Sequence, residues 1–249
     1  MTTVLLTALG VGGATIIGAL IGFLIGEVNQ KFTDAILGFA GGVMLCASVT
    51  GLILPSLEYG KIIVTLLGII LGAVVLNLID RFVPHKHHFA SAIEEKHPKK
   101  TQSYNKILLF VLAIAIHNFP EGIASGVGFG TGNDLDAFTI AGGIALQNIP
   151  EGMVIIAPML AVGIKKGKAL LIASLTGLVE IVGTLIGYFA VSIGTIVLPF
   201  ALAFAGGTML YILSDEMIPE THSHGHERLA TYAIIAGFCL MLVIDFLIG

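Results

Sequence analysis

The chain has 249 residues, of which 56% are hydrophobic and 11% charged, and its net charge is −4. A soluble domain keeps about a quarter of its residues charged, so this composition excludes one. No basic stripe offers itself to nucleic acid, and Cys46 and Cys239 stand far apart in apolar stretches, which supports neither a disulfide framework nor a cysteine metal site.

Eight stretches are long and apolar enough to cross a hydrocarbon core about 30 Å thick, which takes roughly 20 helical residues. In chain order they fall near 3–26, 35–56, 61–80, 106–130, 135–162, 168–192, 196–215 and 229–248. The first holds Gly10, Gly12, Gly13, Gly18 and Gly22 with no basic residue ahead of it, which reads as a packed helix and not as a cleaved signal peptide. Continuous apolar runs exclude a closed barrel, whose strands alternate. The expectation is an all-α membrane protein, with residues 1–249 forming a single transmembrane domain. Its longest loop, about 81–105, carries His85, His87, His88 and His97 among Lys, Glu and Pro. A second run, His222, His224 and His226, precedes the last span. Clustered histidines suit weak metal capture and solvated linkers equally well.

Orientation follows from the basic residues. Of 12 Lys and Arg, all but Lys61 lie in the loops after spans one, three, five and seven. The positive-inside rule puts those loops in the cytoplasm and both termini outside. An odd number of spans would scramble this segregation, so the charges support eight independently. Low charge and short loops suit a bacterial inner membrane.

Two internal repeats are visible. His117-Asn118-Phe119-Pro120-Glu121-Gly122 in span four matches Gln147-Asn148-Ile149-Pro150-Glu151-Gly152 in span five. Gly41-Gly42-Val43-Met44-Leu45, with Pro55 and Glu58 downstream, matches Gly206-Gly207-Thr208-Met209-Leu210, with Pro219 and Glu220 downstream. Spans one to three would then be related to six to eight by inversion around a central four–five pair, an architecture of carriers.

Depth carries the functional argument. Glu121, Glu151 and Glu180 fall near the centres of spans four, five and six, with no Lys or Arg at that level. Burying each charge costs about 2.5–3.5 kcal/mol even on the lenient insertion scale, so bound cations or protons must neutralise them. His117 and Glu121 are four residues apart, as are Gln147 and Glu151, so each pair shares a helix face. Pro120 and Pro150 free the carbonyls of Ile116 and Leu146, and Gly122 and Gly152 let backbones approach. Carboxylate, imidazole and amide oxygen together suit zinc, with iron, manganese and cadmium as further candidates. A lone Pro-kinked helix with one Glu is often structural; two matched motifs and Glu180 at one depth are not readily so. Met44 is ordinarily core filler. Asp80, Asp215, Glu216 and Asp245 lie near span ends, where snorkelling is the cheaper reading.

At these motifs the chain resembles the ZIP (Zrt/Irt-like) metal transporters, and within them the GufA-like branch. The span-four motif with Gly126-Val127-Gly128-Phe129-Gly130, the span-five motif, and the segment Leu198 through Glu220 carry the likeness. The resemblance implies eight helices in a 3+2+3 arrangement and uptake toward the cytoplasm through a binuclear metal centre. One site would use His117, Glu121, Gln147 and Glu151, with Met44; the other would use Asn118, Asn148 and Glu180, with Glu121 and Glu151 bridging two ions. Glu216, Glu220 and the His-bearing loops, His222 included, would line the exit. Many members carry His where Gln147 stands, and an amide is the weaker zinc ligand.

The metal is thus expected as substrate, with no resident cofactor, and a homodimer is among the open assembly states. The first rival is a proton- or sodium-coupled carrier of an organic solute, against which His117 and its amide neighbours argue. An intramembrane metalloenzyme would want paired histidines on one helix, and His117 is the only histidine within a span. A metal sensor or storage protein built on the loops would leave the midplane carboxylates unexplained.

Overall fold

Seen in a computed structural model, described over residues 1–26, 29–82, 100–161, 163–194 and 196–248, the chain forms eight long helices and, among those residues, no strand. They are α1 (Thr2–Ile25), α2 (Gln30–Tyr59), α3 (Ile62–Phe82), α4 (Lys100–Val127), α5 (Asp134–Ala161), α6 (Lys166–Ser192), α7 (Leu198–Thr221) and α8 (Glu227–Ile248). Seven are long and apolar enough to cross a membrane, and α4, of 28 residues, is as long as any of them save α2. The loop histidines His85, His87, His88 and His97 lie outside the described residues.

The large exposed side chains are apolar along whole helix faces: Leu24 is 73% exposed, Ile63 65%, Leu171 60% and Phe246 86%. Faces of this size belong against lipid, not water. The chain is an integral, multi-pass membrane protein.

Helix ends depart from the hydropathy boundaries. Helix α2 starts at Gln30, where the Asn29 side chain accepts from the Phe32 amide at 2.8 Å as an N-cap. Helices α4 and α7 likewise extend past their apolar runs, to Lys100 and Thr221. Hydropathy locates the segment that lipid requires to be apolar, whereas hydrogen bonding carries a helix on into the polar interface.

The packing comes in matched couples. Helix α1 lies against α5 and α6, α4 against α6, α8 against α2, α3 against α7, α2 against α5, and α7 against α4. Exchanging α1 with α6, α2 with α7, α3 with α8 and α4 with α5 turns this set of pairs into itself. Both α2 and α7 widen into a π-helical stretch just past the repeated Gly-Gly motif, at Ala47–Ile53 and Leu213–Met217, and each is followed by a proline, Pro55 or Pro219. A proline lacks the amide a regular helix would use and crowds the turn before it, so a locally widened helix accommodates it. Helix α4, by contrast, stays α-helical through Pro120, as α5 does through Pro150.

Candidate metal centre

The residues that the spacing singled out meet at one place. His117, Asn118 and Glu121 of α4, Gln147 and Asn148 of α5 and Glu180 of α6 are all buried, with Glu121, Gln147 and Glu180 wholly inaccessible. The motif glycines make the closeness possible. A Cβ on Gly122 would lie 2.3 Å from the Glu180 carbonyl oxygen, and one on Gly152 would lie 2.2 Å from that of Thr15. Helix backbones therefore touch beside the polar groups they position.

Glu180 is held by three donors from three helices. Thr15 of α1 donates to Oε1 at 2.6 Å, Asn118 Nδ2 donates to the same oxygen, and Asn148 Nδ2 donates to Oε2 at 2.6 Å. Gln147 Nε2 donates to Glu121 Oε1 at 2.6 Å. Each amide thus spends its NH2 on a carboxylate. What remains is a set of buried oxygens with no donor: Asn118 Oδ1, Glu121 Oε2, Gln147 Oε1, Asn148 Oδ1 and Glu151 Oε1. Unsatisfied buried acceptors cost about 1–3 kcal/mol each, more when charged, and no Lys or Arg is found among the described buried residues. Such a lining suits a cation. Yet no three His, Cys, Asp or Glu side chains among the described residues stand close enough together to hold an ion as arranged, so amide oxygens or small movements must complete any coordination shell.

A narrow cavity of about 30 Å³, the room of roughly two waters, opens from this centre. Its lining includes Met44, His117, Glu121, Glu151, Glu216 and Glu220. Met44, wholly buried, thus stands beside the centre, although it also belongs to the apolar core. Glu216 corrects the snorkelling expectation. It is 7% exposed and its Oε2 lies 2.7 Å from His117 Nε2. It falls within the π-helical stretch of α7, and a single extra residue in a turn rotates the remainder of the helix by about 100°. Hydropathy cannot register such a rotation. Of the expected exit residues, Glu220 lines the cavity and His222 does not: its ring is turned to Thr231 Oγ1 at 3.0 Å and to the Ile218 carbonyl at 2.9 Å.

Thr15 was not singled out by its residue type, though a signal for it exists. Gly12-x-x-Thr15-x-x-Gly18-x-x-x-Gly22 in α1 has the same spacing as Gly177-x-x-Glu180-x-x-Gly183-x-x-x-Gly187 in α6. Thr15 is therefore the register mate of Glu180. Thr15→Val, which keeps the shape and removes the donor, is expected to loosen Glu180 and to weaken binding of a cation at this centre about 10–100-fold, the usual cost of losing an outer partner of a ligand. Thr15→Ser should restore it. Calorimetric titration of the purified protein checks both.

Lipid-facing surfaces, helices in exchangeable pairs and a buried centre of carboxylates, amides and one imidazole define a polytopic membrane protein built around a buried polar centre. The family model described as ZIP Zinc transporter matches residues 81–245, and the chain belongs to that family. It is 37% identical to Zinc transporter GufA of Myxococcus xanthus, over 98% of each chain. It is 38% identical to Zinc transporter ZIPB of Bordetella bronchiseptica over 95% of this chain and 78% of the relative. Zinc transporter ZupT of Chlorobaculum parvum is 36% identical over 93% of this chain and 92% of its own. All three are named as transporters, none as an enzyme.

Proposed function

We propose that this chain carries divalent transition-metal ions, zinc foremost, across the bilayer toward the cytoplasm by alternating access at its midplane centre. The observation that carries the reading is the group of donorless buried oxygens on Asn118, Glu121, Gln147, Asn148 and Glu151, at a depth without a buried Lys or Arg among the described residues. The names of the relatives point to zinc; cadmium, iron and manganese share the ligand chemistry.

The first ion is assigned to the cavity side, between Glu121 and Glu151, with His117, Gln147 and Met44. To reach it, His117 gives up its contact with Glu216. A second ion would use Asn118, Asn148 and Glu180, sharing Glu121 and Glu151. Glu180 already has three hydrogen-bond donors, so this second position costs more to open. The matched packing of α1–α3 and α6–α8 about α4 and α5 supports an inverted 3+2+3 plan. The segregation of basic residues supports external termini in a bacterial inner membrane, and a homodimer is compatible with the exposed apolar faces. Glu216 and Glu220 along the cavity support an exit on the cytoplasmic side.

The test is uptake of radiolabelled zinc into proteoliposomes of known protein orientation, with cadmium, manganese and iron as competitors. Saturable uptake is expected. No metal flux from folded, correctly inserted protein would overturn the proposal in favour of organic-solute transport. In the same assay Gln147→His is expected to strengthen zinc binding and lower competition by manganese, because an imidazole nitrogen replaces an amide oxygen.

A further inference from the structure

One polar side chain next to the centre plays no part in it. Ser125 of α4 is completely buried, and its Oγ has no hydrogen-bond partner. Every other buried serine and threonine among the described residues has one. A hydroxyl within a membrane helix commonly turns back to the carbonyl four residues earlier, as Ser174 does to Leu170 at 2.8 Å and Thr184 to Glu180 at 2.9 Å. Ser125 does not turn back to Glu121, so it bears the cost of a buried, unpaired polar group. An alanine would occupy the same place more cheaply. The hydroxyl therefore has a use other than packing.

Register shows where it stands. Glu121, Ser125 and Gly128 are four and three residues apart and share one face of α4. Both ends of that face meet α5: Glu121 accepts from Gln147 at 2.6 Å, and a Cβ on Gly128 would lie 3.0 Å from Ile140 Cδ1. Ser125 falls between these contacts, one turn beyond Glu121, on the outer side by the basic-residue rule. Ile140 and Ile144, which precede Gln147 on α5, are buried in an apolar cluster with Val127, Leu198 and Leu202. Ser125 is thus a polar group where the closed outer half of the protein meets the centre.

The internal repeat indicates what this position does. The offset that carries Glu121 onto Glu151 carries Ser125 onto Ile155. Ile155 lines the cavity beside Glu151. Helices α4 and α5 run in opposite directions, so position 125 stands to the outer side as position 155 stands to the inner. In a carrier built from inverted repeats, the two halves exchange arrangements when the site changes sides. Ser125 then lines the outer approach as Ile155 lines the inner one. We infer that Ser125 Oγ contacts the incoming divalent cation on the outer approach, replacing one water of its hydration shell just before Glu121 receives it. A neutral hydroxyl offers lone pairs without adding charge, so it eases dehydration without retaining the ion. This role rests on the carrier reading.

The test is uptake into proteoliposomes in which the protein's outer face is turned outward. Ser125→Ala is expected to raise the KM for zinc about 10-fold while the maximal rate stays within about twofold, the loss of one contact to a charged group. Its melting temperature in detergent should equal or exceed that of the wild type. Ser125→Cys places a soft sulfur at the position and should shift preference from zinc toward cadmium about 10-fold. A membrane-impermeant thiol reagent added outside should modify that cysteine, and zinc should slow the reaction; Cys239→Ser serves as the background because Cys46 is buried. A wild-type KM in Ser125→Ala, an unchanged metal preference in Ser125→Cys, or modification from the cytoplasmic side alone would overturn the inference and leave the carrier reading intact. Wild-type protein that moves no zinc would overturn both.

Discussion

Glu121→Gln is expected to reduce zinc uptake into proteoliposomes to the rate of protein-free vesicles, while leaving the metal-free protein as heat-stable as the wild type or more so. The two outcomes have one cause. Glu121 is wholly buried, its Oε1 accepts from Gln147 at 2.6 Å, and its Oε2 has no donor. A glutamine keeps an oxygen for Gln147 to donate to and removes a charge whose placement at the bilayer centre costs about 2.5–3.5 kcal/mol. Without metal the variant therefore loses an unfavourable burial and little else. With metal it loses a ligand that would neutralise the ion and bridge to a second one. Ligand linkage makes this visible: zinc at 100 times its dissociation constant stabilises a binding protein by about 2.7 kcal/mol. The wild type should show a zinc-dependent rise in melting temperature that Glu121→Gln lacks. Uptake persisting near the wild-type rate would remove Glu121 from the site; a variant that is unstable without metal would show that its role is structural.

Gly122→Ala is the second large effect, and it involves no polar atom. The added methyl would lie 2.3 Å from the Glu180 carbonyl oxygen, where contact becomes ordinary only at 3.4–4 Å. Helices α4 and α6 must therefore part by about 1 Å, and overpacking of this kind costs about 1–3 kcal/mol or more. The same displacement moves Asn118 and Glu121 relative to Glu180. A shift of about 1 Å in a preorganised site can cost about 100-fold in activity, so zinc uptake should fall by that order even in protein that remains folded. Gly152→Ala should behave alike, because its methyl would meet the Thr15 carbonyl at 2.2 Å. Gly142→Ala on the same helix is the control: nothing lies within 4 Å of its methyl, so stability and uptake should be unchanged or slightly improved. Reconstituted uptake and detergent melting curves read both quantities. A neutral Gly122→Ala would mean that α4 and α6 do not need to touch.

Much of the centre could be read before any fold was known, because the membrane simplifies the inference. A carboxylate at the middle of a 20-residue apolar run has no water to turn to, so Glu121, Glu151 and Glu180 were marked by depth alone. The paired spacing of His117 with Glu121 and Gln147 with Glu151 needed only the period of a helix. Thr15 escaped notice because a single threonine inside a span is unremarkable by type; its significance lies in its shared register with Glu180, which becomes a contact only once α1 and α6 lie side by side. Glu216 was assigned by hydropathy to a span end, and the widened turn of α7 brought it instead to His117.

By itself, the sequence determined that the chain is helical and that it crosses the membrane, since both follow from the cost of placing peptide groups in hydrocarbon, and it marked three carboxylates near the middle of their apolar runs. It also determined which glycines would allow helices to touch. Only the tertiary structure decided which helices those are and that Glu180 is held by Thr15, Asn118 and Asn148 from three separate helices. The physical reason is that hydropathy and periodicity act along one helix, whereas a binding site is made of contacts between helices. Those contacts depend on rotation and approach, which small residues permit and local widenings of the helix redirect.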